Sequence, residues 1–96
     1  MDNATNNKLR AIVVEDERLP RLALLQKLED FSNDVFIICS CENYDDALHA
    51  ILKEKPDLLF LDIQLQGRDA IQLLEDVRKV QPLPYVIFTT AYSDRH

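Results

Sequence analysis

The sequence predicts an α/β fold built on a parallel β-sheet. Short apolar runs alternate with amphipathic segments of about a dozen residues, which is the pattern of repeated strand–helix–strand units. The run from Leu58 to Leu61 is apolar at every position, as expected for a strand that is buried on both faces of a parallel sheet. Right-handed crossovers would place the helices on both faces of that sheet.

The first strand and helix are predicted within residues 9–34. Leu9 to Val14 is the predicted strand. Pro20 suits the first turn of the following helix, because an amide hydrogen is not needed there. The helix is predicted to end at residues 32–34. Its apolar positions at helical spacing are Leu22, Leu25, Leu28 and Phe31.

The second strand and helix are predicted within residues 35–57. Val35 to Cys39 is rich in β-branched side chains and is the predicted strand. Either Asn43 or Asp45 could cap the helix that follows, and residues 55–57 would end it. The apolar stripe of this helix comprises Ala47, Leu48, Ile51 and Leu52.

The third strand leads to Asp62, and a loop with the only glycine of the chain, Gly67, follows it. Asp69 is the predicted N-cap of the third helix. Residues 81–84 contain two prolines and form a stiff connector to the fourth strand, Tyr85 to Thr90. The predicted core face of the third helix comprises Ile71, Leu74, Val77 and Val80.

The size and charge of the chain limit the classes of function. Ninety-six residues of 47% hydrophobic content can build one small core. A net charge of −6 argues against unspecific nucleic-acid binding and suits a site that concentrates cations. Residues 1–8 are predicted to be a disordered polar leader without signal-peptide features. No apolar run reaches membrane-spanning length, so we predict a cytoplasmic protein without membrane contact.

Carboxylates follow two of the predicted strands, where open α/β sheets bind ligands. Glu15, Asp16 and Glu17 follow the first strand, and Asp62 follows the third. Like charges at close range disfavour joint ionisation, so such a group requires a cation or a raised pKa. The alternative is that strand-end aspartates only cap loops and helices. Four acidic residues at neighbouring strand ends favour a divalent-metal pocket with one reactive aspartate.

The pocket has the residues for phosphoryl transfer to a carboxylate. Asp62 could attack a phosphoryl group to give an aspartyl phosphate. Asp16 and Asp62 would bind Mg²⁺ together with the backbone carbonyl of Gln64, and Glu15 would hold a metal-bound water. The hydroxyl of Thr90, at the end of the fourth strand, could bond a phosphoryl oxygen.

Three segments resemble the receiver domain of two-component response regulators: residues 12–17, 56–63 and 86–91. Two motifs are most similar to those of receivers that carry a LytTR-type DNA-binding domain: LDIQLQG at 61–67 and FTTAY at 88–92. The resemblance implies a flavodoxin-like, doubly wound sheet with strand order 2-1-3-4-5. It also implies that a histidine kinase donates the phosphoryl group and that a separate output domain binds DNA.

The resemblance assigns a role to each residue of the pocket. Asp62 matches the phosphoacceptor, and Glu15 and Asp16 match the acidic pair that holds Mg²⁺. Thr90 matches the hydroxyl that senses phosphorylation. Gln64 and Tyr92 fall where the family varies residues that tune phosphoryl lifetime.

The chain departs from the family pattern at several positions. Gln66 stands where a proline is usual, and Ala70 stands where a loop glycine is usual. No lysine follows Lys79, so the family's catalytic lysine has no counterpart. We predict a receiver domain over residues 9–96 that is truncated after its fourth strand, with four strands and three helices. Phosphorylation of this chain is expected to be weak.

An exposed fourth strand predicts self-association, because its edge would present unpaired backbone groups. We expect a homodimer or a strand-exchanged oligomer through Tyr85 to Thr90. Two other functions compete with the receiver assignment. A metal-dependent phosphatase is disfavoured, since Gln64 stands two residues after Asp62 and cannot act as a general acid. A binding module that is never phosphorylated stays open. We predict that the domain is not an enzyme.

Overall fold

The computed structural model of the chain describes residues 7–65 and 70–89. Within these ranges four parallel strands form one sheet in the order β2-β1-β3-β4, with three helices. The strands are β1 (Leu9–Val14), β2 (Val35–Cys41), β3 (Leu58–Leu61) and β4 (Tyr85–Phe88). The helices are α1 (Arg18–Leu28), α2 (Tyr44–Glu54) and α3 (Ala70–Arg78), and a 3₁₀ turn (Glu29–Phe31) follows α1. The predicted fold class is confirmed.

The register of the sheet aligns the carboxyl ends of its strands. Val14 of β1 pairs with Cys41 of β2 and with Leu61 of β3, and Leu61 pairs in turn with Phe88 of β4. The residues directly after β1 and β3 therefore lie side by side at the end of the sheet where the strands terminate. This alignment places the candidate site.

One face of the sheet is covered by α2 and α3. Alternate residues of the central strands point to this face, and their side chains pack with the buried sides of the two helices. The fully buried members of this layer include Ile12, Val14, Leu59, Leu61, Ile51, Leu73 and Val77. It is the larger of the two core layers.

The opposite face is covered by α1. The buried strand residues on this side are Ala11, Val13, Leu58 and Phe60. Leu24, Leu25 and Leu28 of α1 pack against them, but no residue of α1 is fully buried. The α1 layer is thus the more open of the two.

The strand ends differ from the predictions at two places. β2 continues to Cys41 instead of Cys39, because β1 also pairs with Ser40 and Cys41. β4 ends at Phe88 instead of Thr90, since its partner β3 ends at Leu61. Thr90 itself lies outside the described residues.

Two predicted helix faces are partly wrong. In α1, Leu22 is 45% exposed and Phe31 lies in the 3₁₀ turn, while Leu24 packs on the sheet instead. In α3, Ile71 and Val80 are exposed, and Val80 lies beyond the end of the helix. The real core face of α3 is displaced from the predicted one and consists of Ala70, Leu73 and Val77, with Leu74 partly buried.

The ends of α2 have clear local causes. The side chain of Asn43 accepts a hydrogen bond of 2.8 Å from the amide of Asp46, so Asn43 is the cap and Asp45 is not. Lys55 ends the helix in the left-handed region at φ 49°. Asp69, the predicted cap of the third helix, lies outside the described residues.

Both cysteines of β2 are free thiols, Cys39 half-buried and Cys41 buried. The pKa of the Cys41 thiol is raised to about 12, chiefly by burial and in smaller part by the neighbouring Cys39. In the described part of the chain, no helix is both long enough and apolar enough to cross a bilayer.

Candidate functional site

Three carboxylates lie close together at the carboxyl end of the sheet, where the strands terminate. Glu15, Asp16 and Asp62 each offer an oxygen, and these oxygens all lie within 4.8 Å of one another. Glu15 and Asp62 are buried, and Asp16 is half-buried. The cluster arises because β1 and β3 are neighbours whose last residues pair. Glu17, the fourth acid at these predicted strand ends, is exposed and is not a member of the cluster.

Asp62 directly follows β3 and is held by the turn that begins there. Its own amide donates to the carbonyl of Val14 at 3.0 Å, which continues the β1–β3 ladder past the end of β3. Its Oδ1 accepts a hydrogen bond of 3.0 Å from the amide of Gln64. Only 7% of the residue is exposed. The amide of Gln64 therefore orients the carboxylate, and the bond to Val14 anchors the backbone that carries it.

Glu15 is held in a similar way at the end of β1. Its amide donates to the carbonyl of Cys41 at 3.0 Å, and its Oε2 accepts from the amide of Glu17 at 3.0 Å. The pKa of the Glu15 carboxyl is raised to about 7, chiefly by burial and in smaller part by the negative charge of Asp62. The hydrogen bond from Glu17 opposes this rise. The protonated form of Glu15 is thus favoured chiefly because burial disfavours a charged carboxylate, and the nearby charge of Asp62 acts in the same direction.

Arg21 of α1 reaches back to the same turn. Its Nη1 donates to the backbone carbonyl of Glu15 at 3.0 Å, and its Nη2 pairs with Oε2 of Glu42 at 3.5 Å. Only 11% of the Arg21 side chain is exposed. The sequence analysis did not identify Arg21, because a single basic residue in a surface helix carries no signal of its own.

The cluster suits a hard divalent cation. All its donors are oxygens. Burial and, to a smaller extent, the charge of Asp62 raise the pKa of Glu15, and a bound cation would favour its ionised form. Mg²⁺ prefers one or two carboxylates, further oxygens and water. The residues present therefore fit the ion. The backbone carbonyl of Gln64 stays a predicted ligand.

Thr89, which directly follows β4, has a buried hydroxyl that was not predicted from the sequence. The amide of Thr89 donates to the carbonyl of Leu61 at 2.9 Å, so Thr89 lies beside the start of the Asp62 turn. Its Oγ1 is buried and has no hydrogen-bond partner among residues 7–65 and 70–89. Thr90 and Tyr92, the predicted switch and lifetime residues, lie outside those ranges.

A groove of about 530 Å³ lies at the opposite end of the sheet, where the strands begin. The connector before β4 and the ends of neighbouring elements line it, including Leu9, Pro56, Leu83 and Tyr85. It has none of the clustered carboxylates. The chemistry of the domain is therefore expected at the carboxyl end of the sheet.

A family model supports this interpretation of the site. The model of the response regulator receiver domain matches residues 11–96. The chain belongs to the receiver domain family. The predicted resemblance is therefore confirmed over nearly the whole sequence, and the domain falls among modules that generally signal rather than catalyse.

Curated relatives of this receiver domain include regulators of the Lyt type. It is 37% identical over 85 residues to the sensory transduction protein LytT of Bacillus subtilis, covering 88% of this chain and 35% of that protein. It is 34% identical over 85 residues to LytR of Staphylococcus haemolyticus, covering 88% of this chain and 33% of that protein. The chain spans about a third of the length of these relatives.

Solved receiver structures share the fold. The signal receiver domain of the response regulator NarL from Mycobacterium tuberculosis gives a TM-score of 0.79 at 26% identity, covering 93% of this chain and 71% of that one. The receiver domain of AraT from Geobacillus stearothermophilus gives a TM-score of 0.77 at 21% identity, covering 90% of this chain and 67% of that one. The strand order and the helices on both faces are those of a flavodoxin-like receiver.

Proposed function

We propose that this receiver domain accepts a phosphoryl group on Asp62 from a histidine kinase and passes the change to an output domain. The observation that carries the proposal is the position of Asp62. It is buried at the end of the central strand β3, oriented by the amide of Gln64, and grouped with Glu15 and Asp16. The output is proposed to be transcriptional and the setting cytoplasmic.

The three carboxylates would hold Mg²⁺, with Asp16 and Asp62 as direct ligands and Glu15 acting through water. The carbonyl of Gln64 would complete the protein ligands. When bound, the ion supplies positive charge that offsets the negative charge of the incoming phosphoryl oxygens. Glu15 would then favour its ionised form, because an adjacent cation lowers the pKa of a carboxyl group.

The proposed reaction is an in-line transfer from a phosphohistidine of the kinase. An oxygen of the Asp62 carboxylate forms the new bond to phosphorus while the bond between phosphorus and the histidine nitrogen breaks. The imidazole keeps the electron pair of the broken bond. The role of the chain is to hold the nucleophile at a fixed orientation, which the bonds from Gln64 and to Val14 support.

The proposal is tested by incubating the whole chain with MgCl₂ and acetyl phosphate, followed by intact mass spectrometry. We expect a gain of one phosphoryl group, at less than full stoichiometry, that hydroxylamine removes as it removes other acyl phosphates. The Asp62→Asn variant should gain nothing. Label that persists in Asp62→Asn would refute the assignment of the nucleophile.

The matched control is Asp57→Asn, because Asp57 precedes the same strand at its opposite end. There its Oδ2 accepts from the amide of Arg10 at 2.9 Å, away from the acidic cluster. This variant should label like the unmodified chain. The same experiment addresses the alternative of a binding-only module, which would remain unlabelled while folded.

The domain is also proposed to associate through β4. Along this strand Tyr85 is 78% exposed, and Ile87 and Phe88 are exposed as well. In the described sheet β4 has a hydrogen-bonded neighbour only on the β3 side. An apolar strand edge favours pairing with another copy. Size-exclusion chromatography with light scattering should show a dimer, and a folded monomer at high concentration would contradict it.

A further inference from the structure

We propose that Arg21 is a positioning residue that fixes the turn carrying the acidic pair. The inference rests on the proposed function, since the property it adjusts is the affinity of the carboxylate cluster for Mg²⁺. Among the described residues, Arg21 makes no hydrogen bond or ion pair with Asp16 or Asp62. It acts through the backbone of Glu15.

The contacts of Glu15 show what Arg21 adds. The amide of Glu15 is fixed by β2, through the carbonyl of Cys41, and its carboxylate is fixed by the amide of Glu17. The carbonyl of Glu15 takes part in neither contact and accepts a hydrogen bond of 3.0 Å from Nη1 of Arg21. Loss of that bond would leave the peptide between Glu15 and Asp16 free to rotate. Such a rotation would move both carboxylates of the pair.

Arg21 is itself held from two sides. It lies in the first turns of α1, where its amide closes on the carbonyl of Glu17 at 3.1 Å. Its second guanidinium nitrogen pairs with Glu42, which follows the end of β2. A guanidinium can make both contacts at once because its donors form a planar fork, whereas an ammonium has no such fork. The side chain therefore ties α1, β1 and β2 together behind the cluster.

A positioning role of Arg21 and a simple charge effect predict opposite changes in Mg²⁺ affinity when Arg21 is replaced by a neutral residue. Removing a positive charge near three carboxylates makes the site more negative, which by itself tightens cation binding. Loss of the anchor disorders the ligands, which weakens binding. The direction of the change in affinity therefore separates the two roles.

The experiment compares Mg²⁺ affinity by calorimetric titration of MgCl₂ into the whole chain and its variants. Arg21→Met keeps the apolar stem and removes the donors, and we expect the affinity to fall roughly tenfold, as for other residues that orient metal ligands. Arg21→Lys keeps the charge but has a single donor nitrogen in place of the guanidinium fork, so its affinity should fall by less. An affinity of Arg21→Met equal to or above that of the unmodified chain overturns the inference.

The matched control is Arg18→Met, which removes the same charge from an exposed position on the same helix. It should leave the affinity unchanged or slightly higher. Should Arg21→Met fail to fold, Arg21→Lys decides the question: an affinity between those of the unmodified chain and Asp16→Asn supports the inference, and any other value overturns it.

A second measurement separates failure of this inference from failure of the proposed function. Hydrogen exchange of the Glu17 amide, which donates to Oε2 of Glu15, reports the order of the turn without any metal. It should be faster in Arg21→Met than in Arg18→Met. If the unmodified chain binds no Mg²⁺, the proposed function fails, and this exchange alone decides the inference: faster exchange supports it and unchanged exchange refutes it.

Discussion

The backbone amide of Gln64 donates a hydrogen bond of 3.0 Å to Oδ1 of Asp62. The bond ties the proposed phosphoacceptor to its own turn, two residues on. The same relationship recurs at the end of β1, where the amide of Glu17 donates to Oε2 of Glu15. After each of these two neighbouring strands, the amide two residues further along the chain donates to the carboxylate and holds one acid of the cluster in place.

Asp62→Asn is expected to stabilise the metal-free domain. The substitution removes one of three crowded negative charges, and the amide oxygen can still accept from Gln64. We expect the free energy of unfolding at pH 8 to rise by about 1 kcal/mol, the repulsion energy of two unit charges about 4 Å apart in water. Urea unfolding followed by circular dichroism measures it. Mg²⁺ should stabilise the unmodified chain and not this variant.

Asp57→Asn serves as the control for this prediction. Asp57 carries the same charge at the other end of β3, where it accepts from the amide of Arg10. Its replacement should bring no stabilisation. A loss of stability in metal-free Asp62→Asn would mean that the Asp62 charge is compensated within the apo protein.

The metal-free domain should lose stability as the pH rises from about 4.5 to about 7. The pKa of Glu15 is raised from 4.5 to about 7 in the folded state, chiefly by burial, so the folded chain binds the proton more tightly than the unfolded chain. This contribution is complete below pH 4.5 and is lost as the pH rises through about 7.

Thermal unfolding in a pH series checks this expectation, with Glu15→Gln as the control. The control cannot titrate at this position, so its stability should fall less over the same interval. Saturating Mg²⁺ should also reduce the fall, because the cation favours the ionised carboxylate. Equal slopes for the two chains would show that Glu15 titrates normally.

Thr89→Val should leave the stability unchanged or raise it by up to about 1 kcal/mol. The substitution keeps the shape of the side chain and removes a buried hydroxyl that has no hydrogen-bond partner in the described ranges. Thr89→Ser is the matched control, since it keeps the hydroxyl and removes the methyl group. A marked destabilisation by valine, measured in urea, would reveal that this hydroxyl has a partner.

Lys55→Gly should stabilise the domain by about 0.5 kcal/mol. Lys55 adopts a left-handed conformation with φ 49°, which glycine reaches without the steric cost that a Cβ imposes. Lys53→Gly, two residues earlier within α2, should instead destabilise the domain by about 1 kcal/mol. Opposite signs in urea unfolding would support the assigned backbone conformation, and a loss in both variants would contradict it.

The sequence by itself determined the order and type of the elements. The apolar run of β3 and the β-branched run of β2 indicate strands, and Asn43 caps its helix through a local side-chain contact. Such signals depend on neighbours in the chain. The carboxylates of Glu15, Asp16 and Asp62 could be predicted as one cluster for a different reason: parallel neighbouring strands bring their carboxyl ends together.

Only the tertiary structure decided which helix faces are buried and what supports the acidic turn. The core face of α3 contains Leu73 instead of Ile71, because the packing of α3 against α2 and the sheet sets its rotation, and several leucines and isoleucines satisfy helical spacing equally well. Arg21 meets the carbonyl of Glu15 across the β1–α1 turn. A contact between a side chain and a backbone carbonyl leaves no pattern in the sequence.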